Sequence, residues 1–254
     1  MTQRNLRDEV CLQLINDQYI VILPHAGKMF TLNFTAGWIL ELIDENYSDE
    51  EISDKFCDRF NLVKDVFSND FLELIAQLEI MGILETESYN AVSEVHSSTM
   101  GFLHSDEFRG ELKKYCQDHF IPLQAFFELT YGCNLKCKHC YIPEELPKNK
   151  LRLRDYQKLI DELKSMGCLE IILTGGECLT NPLWVPICEY IRKKRMSFVV
   201  KTNAVLLSKK NVEILKKCAV SEVQISLYSM NETIHDGFTI TLGSYSETIT
   251  AIKR

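Results

Sequence analysis

Apolar residues in the first part of the chain come in short blocks whose period changes once. Val10-Cys11-Leu12-Gln13-Leu14-Ile15 and Tyr19-Ile20-Val21-Ile22-Leu23 are dense in strand-forming side chains. Asn16-Asp17 between them are turn formers, so the pattern predicts two paired strands. A third short strand is expected over residues 29–32, after Gly27. The period then lengthens to that of a helix. Asn33 offers an N-cap for a helix running to Ile43, and Ser48-Asp49-Glu50-Glu51 spells a capping box for a second, with Ile52, Phe56 and Phe60 on one face. Phe67, Phe71, Leu74, Ile75 and Leu78 recur at helical spacing in a third, which Gly82 stops after Met81. Three strands followed by three helices predict a small α+β, winged-helix-like domain over residues 1–88.

Residues 85–105 lose this periodicity and are rich in Ser, Thr and Glu, the composition of a connection; residues 89–120 are read as linker and lead-in helix. Strand and helix patterns then alternate. Strands are expected at residues 125–130, 169–174, 198–202 and 222–228. Helices are expected at 154–166 (Tyr156, Leu159, Ile160 and Leu163 on one face), 183–194, 209–217 and 245–253. Repeated βα units imply parallel strands with right-handed crossovers and sites at the strands' carboxyl ends. The fold class is α/β: a partial (βα) barrel over residues 121–254 that stops after its fourth strand, preceded by the smaller α+β domain.

Charge narrows the partners. The chain has 254 residues, with 28 Lys+Arg against 36 Asp+Glu and a net charge of -8. That balance argues against a general nucleic-acid binder or an anionic-membrane anchor, and suits a neutral, cationic or peptide-like partner. Without an apolar signal core or a span of ~20 apolar residues, the protein is expected to be cytoplasmic.

Ten cysteines are present, and Cys11, Cys57, Cys116, Cys168, Cys188 and Cys218 lie singly in strand or helix patterns, as buried thiols do. Cys133, Cys137 and Cys140 cluster on the loop after the first barrel strand. Three soft thiolates within eight residues can hold three irons of a cubane cluster and leave the fourth iron open to an exogenous ligand. The rival reading is a structural zinc completed by His139, Cys116 or His119, although no second C-x-x-C follows.

The spacing C-x-x-x-C-x-x-C followed by Tyr141 resembles the radical S-adenosylmethionine (SAM) superfamily. Thr174-Gly175-Gly176-Glu177 is similar to that family's GGE motif, Lys201-Thr202-Asn203-Ala204 to its Thr-Asn-Gly, and Gln224-Ile225-Ser226-Leu227-Tyr228 to its Ser-bearing strand end. His235-Asp236 and Gly243-Ser244-Tyr245 resemble the peptide-maturase, SPASM-type branch, and residues 10–85 resemble the PqqD-like element that captures leader peptides. The resemblance implies a 4Fe-4S cluster on Cys133, Cys137 and Cys140, with SAM held by Gly175, Gly176, Glu177, Asn203 and Ser226 and its adenine near His139. The two glycines are expected to let the ligand approach the backbone closely. Cys178 stands where the family commonly has proline and Ala204 where it has glycine; Cys178 is read as a small buried thiol. Tyr141 is either core or a residue behind the cluster, and His139 is read as packing on the loop.

By the same resemblance the activity is generation of a 5'-deoxyadenosyl radical to modify a ribosomally made precursor peptide, whose leader adds as a strand at residues 29–32. An electron donor is required. Family barrels continue through two more strands and commonly carry an auxiliary-cluster domain, so the resemblance suggests a truncated chain or one that a second chain completes. The alternative is a non-catalytic or split-enzyme peptide-binding protein that keeps a shortened barrel.

Overall fold

The computed structural model describes residues 2–26, 28–85, 106–142 and 151–254. Gly27 and residues 86–105, most of the segment read as linker, lie outside the described residues. The chain divides into two compact units, Met1–Arg109 and Gly110–Arg254.

In the first unit β1 (Cys11–Ile15), β2 (Gln18–Leu23) and β3 (Lys28–Asn33) form an antiparallel meander in that order. Asn16 and Asp17 both take positive φ, 43° and 61°, as a two-residue hairpin of the strands' own twist requires. Helices α1 (Phe34–Asp44), α2 (Asp49–Phe60) and α3 (Lys64–Ile80) follow. The caps read from sequence are in place: the Asn33 side chain accepts the Ala36 N–H at 2.9 Å, and Ser48 and Glu51 close a reciprocal capping box. Gly82 takes φ 74° past the end of α3. Tyr19, Val21, Leu40, Ile43, Ile52 and Leu78 fill one core. Helix α1 presses on β2 so closely that a Cβ on Gly37 would lie 2.0 Å from the Tyr19 ring. Phe60, expected on the buried face of α2, sits instead at its rim, 37% exposed, its ring tilted against that of Phe56 at 4.6 Å.

Helix α4 (Asp106–Asp118), which begins four residues before the second unit, leads into its β4 (Gln124–Thr130), α5 (Leu153–Ser165), β5 (Glu170–Gly175), α6 (Trp184–Lys193), β6 (Ser197–Thr202), α7 (Lys209–Lys217) and β7 (Glu222–Ile225). Two short helices, α8 (Glu232–Thr239) and α9 (Ser244–Ile252), follow β7. The strands are all parallel in the order β4-β5-β6-β7, the sequential order of a (βα) barrel. Ile171, Leu173, Phe198 and Val200 from the sheet share a core with Tyr156, Ile160, Ile187 and Ile191 from the helices.

Three expectations need correction. Leu159 is 39% exposed, so the buried stripe of α5 is narrower than the sequence suggests. Strand β7 stops at Ile225 rather than Tyr228: the Ser226 N–H still reaches Thr202 O, but the Tyr228 N–H turns to Nδ1 of His235 and leaves the ladder. Helix α8, over a stretch given no element by the pattern, starts at an N-cap, the Asn231 side chain accepting from the Ile234 N–H.

Candidate functional site

The site begins where two strand ends are stitched together. Past β5 the Gly176 N–H donates to Thr130 O at 2.7 Å and the Glu177 N–H to Gly132 O at 3.0 Å. A Cβ on Gly175 would lie 2.3 Å from Thr130 O, and one on Gly176 would lie 2.3 Å from Gly132 O. Gly175 also takes φ 127°, open to glycine and strained for other residues. The glycine pair is therefore demanded by the protein's own backbone, a reason additional to the ligand approach expected from the sequence. Cys133 follows Gly132 directly, so the stitch fixes the root of the cysteine loop.

The rest of that loop hangs on α8. The Lys136 N–H donates to Thr239 O at 3.2 Å and the Lys138 N–H to Phe238 O at 3.0 Å, using carbonyls that a helix end leaves unpaired. Leu135 is buried beneath the loop. The His139 ring lies 4.7 Å from Phe238 and 4.9 Å, edge on, from Tyr228, which fits the packing role read for it. Tyr141 is 71% exposed, so it is not core; its hydroxyl donates to Glu128 Oε1 at 3.2 Å, tying the far end of the loop to β4. Helix α8 is braced in turn. The Asp236 carboxylate accepts from the Gly243 and Tyr245 N–H groups and the Ser244 hydroxyl at 2.6 to 2.9 Å, which holds it below the usual carboxylate range.

Cys133 and Cys140 are exposed and Cys137 is half-buried. Desolvation at the sulfurs pushes the Cys133 and Cys137 thiols up, although Cys133 as a whole residue is exposed; Glu177, Cys137 and Cys140 add to the rise at Cys133, and Cys140 to that at Cys137. The Cys133 sulfur accepts from the Leu135 N–H at 3.4 Å and from Asn203 Nδ2 at 3.8 Å. Asn203 also donates to Asn134 Oδ1 at 2.8 Å, so the end of β6 is tied to the same loop. Among the described residues no three His, Cys, Asp or Glu side chains close on a single ion. A cubane cluster takes its three thiolates at separate irons.

Glu177 is buried, 1% exposed. Its Oε1 accepts from the Thr202 hydroxyl at 2.8 Å and the Leu179 N–H at 3.1 Å, and its Oε2 from the Asn203 N–H at 2.8 Å. Desolvation raises its carboxyl above the ordinary range, against the pull of those donors. Ser226 is exposed at the end of β7. Gly175, Gly176, Glu177 and Asn203 thus stand beside the cysteine loop, and His139 lies on it. The two departures from the family pattern have local explanations. Ala204 is buried at φ 65°, the left-handed conformation glycine adopts freely, and Cys178 is a buried thiol that donates to Lys201 O at 3.3 Å.

In the first unit β3 pairs, among the described residues, with β2 on one side only. Beside it lies a groove of about 440 Å³, lined by Thr31 and Leu32 of β3, Ala36 of α1, and Phe67, Phe71 and Leu74 of α3. Apolar floor and strand edge together are what an added strand needs.

Comparison with known proteins now adds to this geometry. Residues 127–254 match the Radical SAM superfamily model. The chain belongs to the radical SAM superfamily. Residues 18–84 match the model for coenzyme PQQ synthesis protein D (PqqD), so the radical SAM domain is accompanied by a PqqD domain. The antilisterial bacteriocin subtilosin biosynthesis protein AlbA of Bacillus subtilis is 39% identical over 52% of this chain and 30% of its own length. PqqA peptide cyclase of Rhodopseudomonas palustris is 30% identical over 46% of this chain and 31% of its own. Streptococcus suis SuiB, solved bound to precursor peptide SuiA, shares the fold at 19% identity and TM-score 0.54, over 96% of this chain and 52% of SuiB. The chain thus spans about a third of the two curated relatives and about half of SuiB. Family membership implies a 4Fe-4S cluster and SAM. The donor set fits that implication, with three soft sulfurs in mutual electrostatic reach, two of them part-desolvated and one already receiving N–H donors. Among the described residues no helix is long and apolar enough to cross a membrane.

Proposed function

We propose that this chain provides leader recognition and radical generation for the modification of a ribosomally made precursor peptide. The observation that carries the reading is the cysteine loop, held at its root by Gly175 and Gly176 and along its length by Asn203 and the carbonyls of α8. When bound, a 4Fe-4S cluster with SAM supplies one-electron reductive cleavage of the sulfonium and so a carbon radical that abstracts hydrogen from the peptide. The chain's own residues position and shield. Cys133, Cys137 and Cys140 hold the cluster; the backbone at Gly175 and Gly176, with Asn203 and Ser226, lines the place for SAM, Glu177 bracing it from behind through Thr202 and the Asn203 N–H rather than receiving SAM itself; His139 covers the adenine side. An external reductant supplies the electron.

Division of labour follows the sequence. Residues 1–88 take the leader as a strand on β3, with its apolar side chains in the adjoining groove. Residues 89–120 connect, and residues 121–254 act on the core peptide. A reducing cytoplasm suits ten free cysteines.

Anaerobic reconstitution with iron and sulfide, then reduction in the presence of SAM, tests the reading by chromatographic assay for 5'-deoxyadenosine. The nucleoside is expected from the intact chain and absent from Cys137→Ala. An iron-sulfur cluster without nucleoside would move the chain to the non-catalytic, peptide-binding reading.

A further inference from the structure

Among the described residues, one charged side chain lines the groove beside β3. Phe67, Asp70, Phe71 and Leu74 fall three and four residues apart on α3 and line it together, so the Asp70 carboxylate stands among hydrocarbon. Asp70 is exposed, and among the described residues no hydrogen bond or ion pair engages it. The cations of α2 and α3 are committed elsewhere: Lys64 pairs with Asp54, Lys55 lies 4.4 Å from the Tyr47 ring, and Arg59 lies 4.4 Å from that of Trp38. Charge along the chain points the same way. Residues 1–85 hold 6 Lys+Arg against 16 Asp+Glu, net -10, and the remaining residues hold 22 against 20, net +2. The acidity is concentrated in the part read as leader-binding.

We propose that Asp70 makes this groove selective for a basic leader: the bound strand carries a Lys or Arg whose cation pairs with Asp70, beside an apolar side chain seated against Phe67, Phe71 and Leu74. This rests on the reading of the first unit as leader-binding. A strand laid over the groove strips water from Asp70, and an ionised carboxylate so covered costs free energy unless a cation or donor replaces that water. An acidic side chain there meets like charge, and a wholly apolar one leaves the carboxylate unpaired. Both are selected against. Lys and Arg suit both parts of the groove, because their methylene stems cover hydrocarbon while their heads reach the carboxylate.

The probe is a phage-displayed library of short random peptides, panned on the whole chain. Enriched peptides should combine apolar residues with Lys or Arg, and hydrogen exchange should show residues 28–33 and 67–74 protected when one is bound. In that peptide, norleucine in place of the basic residue should weaken binding to wild type about fivefold and leave binding to Asp70→Asn unchanged. Asp70→Lys should turn the enrichment toward Asp and Glu. Glu73→Gln removes the same charge from α3 outside the groove lining and should keep the basic preference. Should one Asp70 variant fold poorly by circular dichroism, the other carries the comparison. Peptides that protect the same residues without a basic preference, or whose preference survives both Asp70 substitutions, overturn the proposal and leave the leader reading intact. Protection of residues 28–33 that rises with protein concentration in the absence of peptide assigns the edge to a second copy of the chain and overturns both. So does a library from which no peptide protects these residues.

Discussion

Two glycines show how a single missing Cβ can be read at the residue scale. Gly37 lies within α1, where alanine is ordinarily preferred by about 1 kcal/mol, yet its α-carbon faces the Tyr19 ring. Gly37→Ala is therefore expected to destabilise the first unit by about 1–3 kcal/mol through overpacking, measured as a lower urea midpoint at unchanged slope. At Gly176 the obstacle is backbone, which cannot rotate away. Gly176→Ala should leave the far-ultraviolet circular dichroism near wild type but sharply reduce iron uptake on reconstitution. Gly110→Ala, where nothing lies within 4 Å of the added carbon, should load normally. The GGE resemblance gave ligand approach as the reason for the glycines, and the structure adds a second one, the closeness of Thr130 O and Gly132 O. Which backbone approaches which is a tertiary fact, and no local pattern in the sequence announces that Thr130 and Gly132 will lie against them.

Secondary elements were legible where their signals were local. The Asn16-Asp17 turn, the Asn33 cap and the Ser48 box all encode themselves within four residues. Helix α8 was not, because it is short, contains Gly237 and carries the β-branched residues Thr233, Ile234 and Thr239. The available signal was Asn231 as N-cap, with Ile234 and Phe238 four residues apart. Missing this helix also hid what holds the cysteine loop, since its carbonyls receive Lys136 and Lys138. The same weakness gives a prediction. A Cβ on Gly237 meets nothing within 4 Å, so Gly237→Ala should stabilise the second unit by about 0.5–1 kcal/mol, seen as a raised thermal midpoint of the metal-free protein.

Across the whole molecule, acid sensitivity is set by carboxyls pulling in opposite directions. Asp236 is held below its ordinary 3.8, so its contribution to stability is complete above about pH 4 and is lost as pH falls through the depressed folded value. Glu177, raised by burial, does the reverse: its ionised form costs stability as pH rises through its elevated value. Asp236→Asn isolates the first effect. The gap in thermal midpoint between wild type and this variant should be widest near neutral pH and close below about pH 4, followed by circular dichroism of the metal-free protein.

The stitch between the ends of β4 and β5 bears on how a cluster would be installed. In small zinc-folded domains the ion organises the chain, and removing it unfolds the protein. On the proposed reading the first ligand, Cys133, directly follows Gly132 on the continuation of a parallel sheet, so the expected order is the reverse: the sheet closes first, and iron and sulfide arrive at a loop whose root is already fixed. Loss of the cluster to oxygen would then leave a folded apoprotein that can be refilled, and assembly would be limited by delivery of iron and sulfide rather than by refolding.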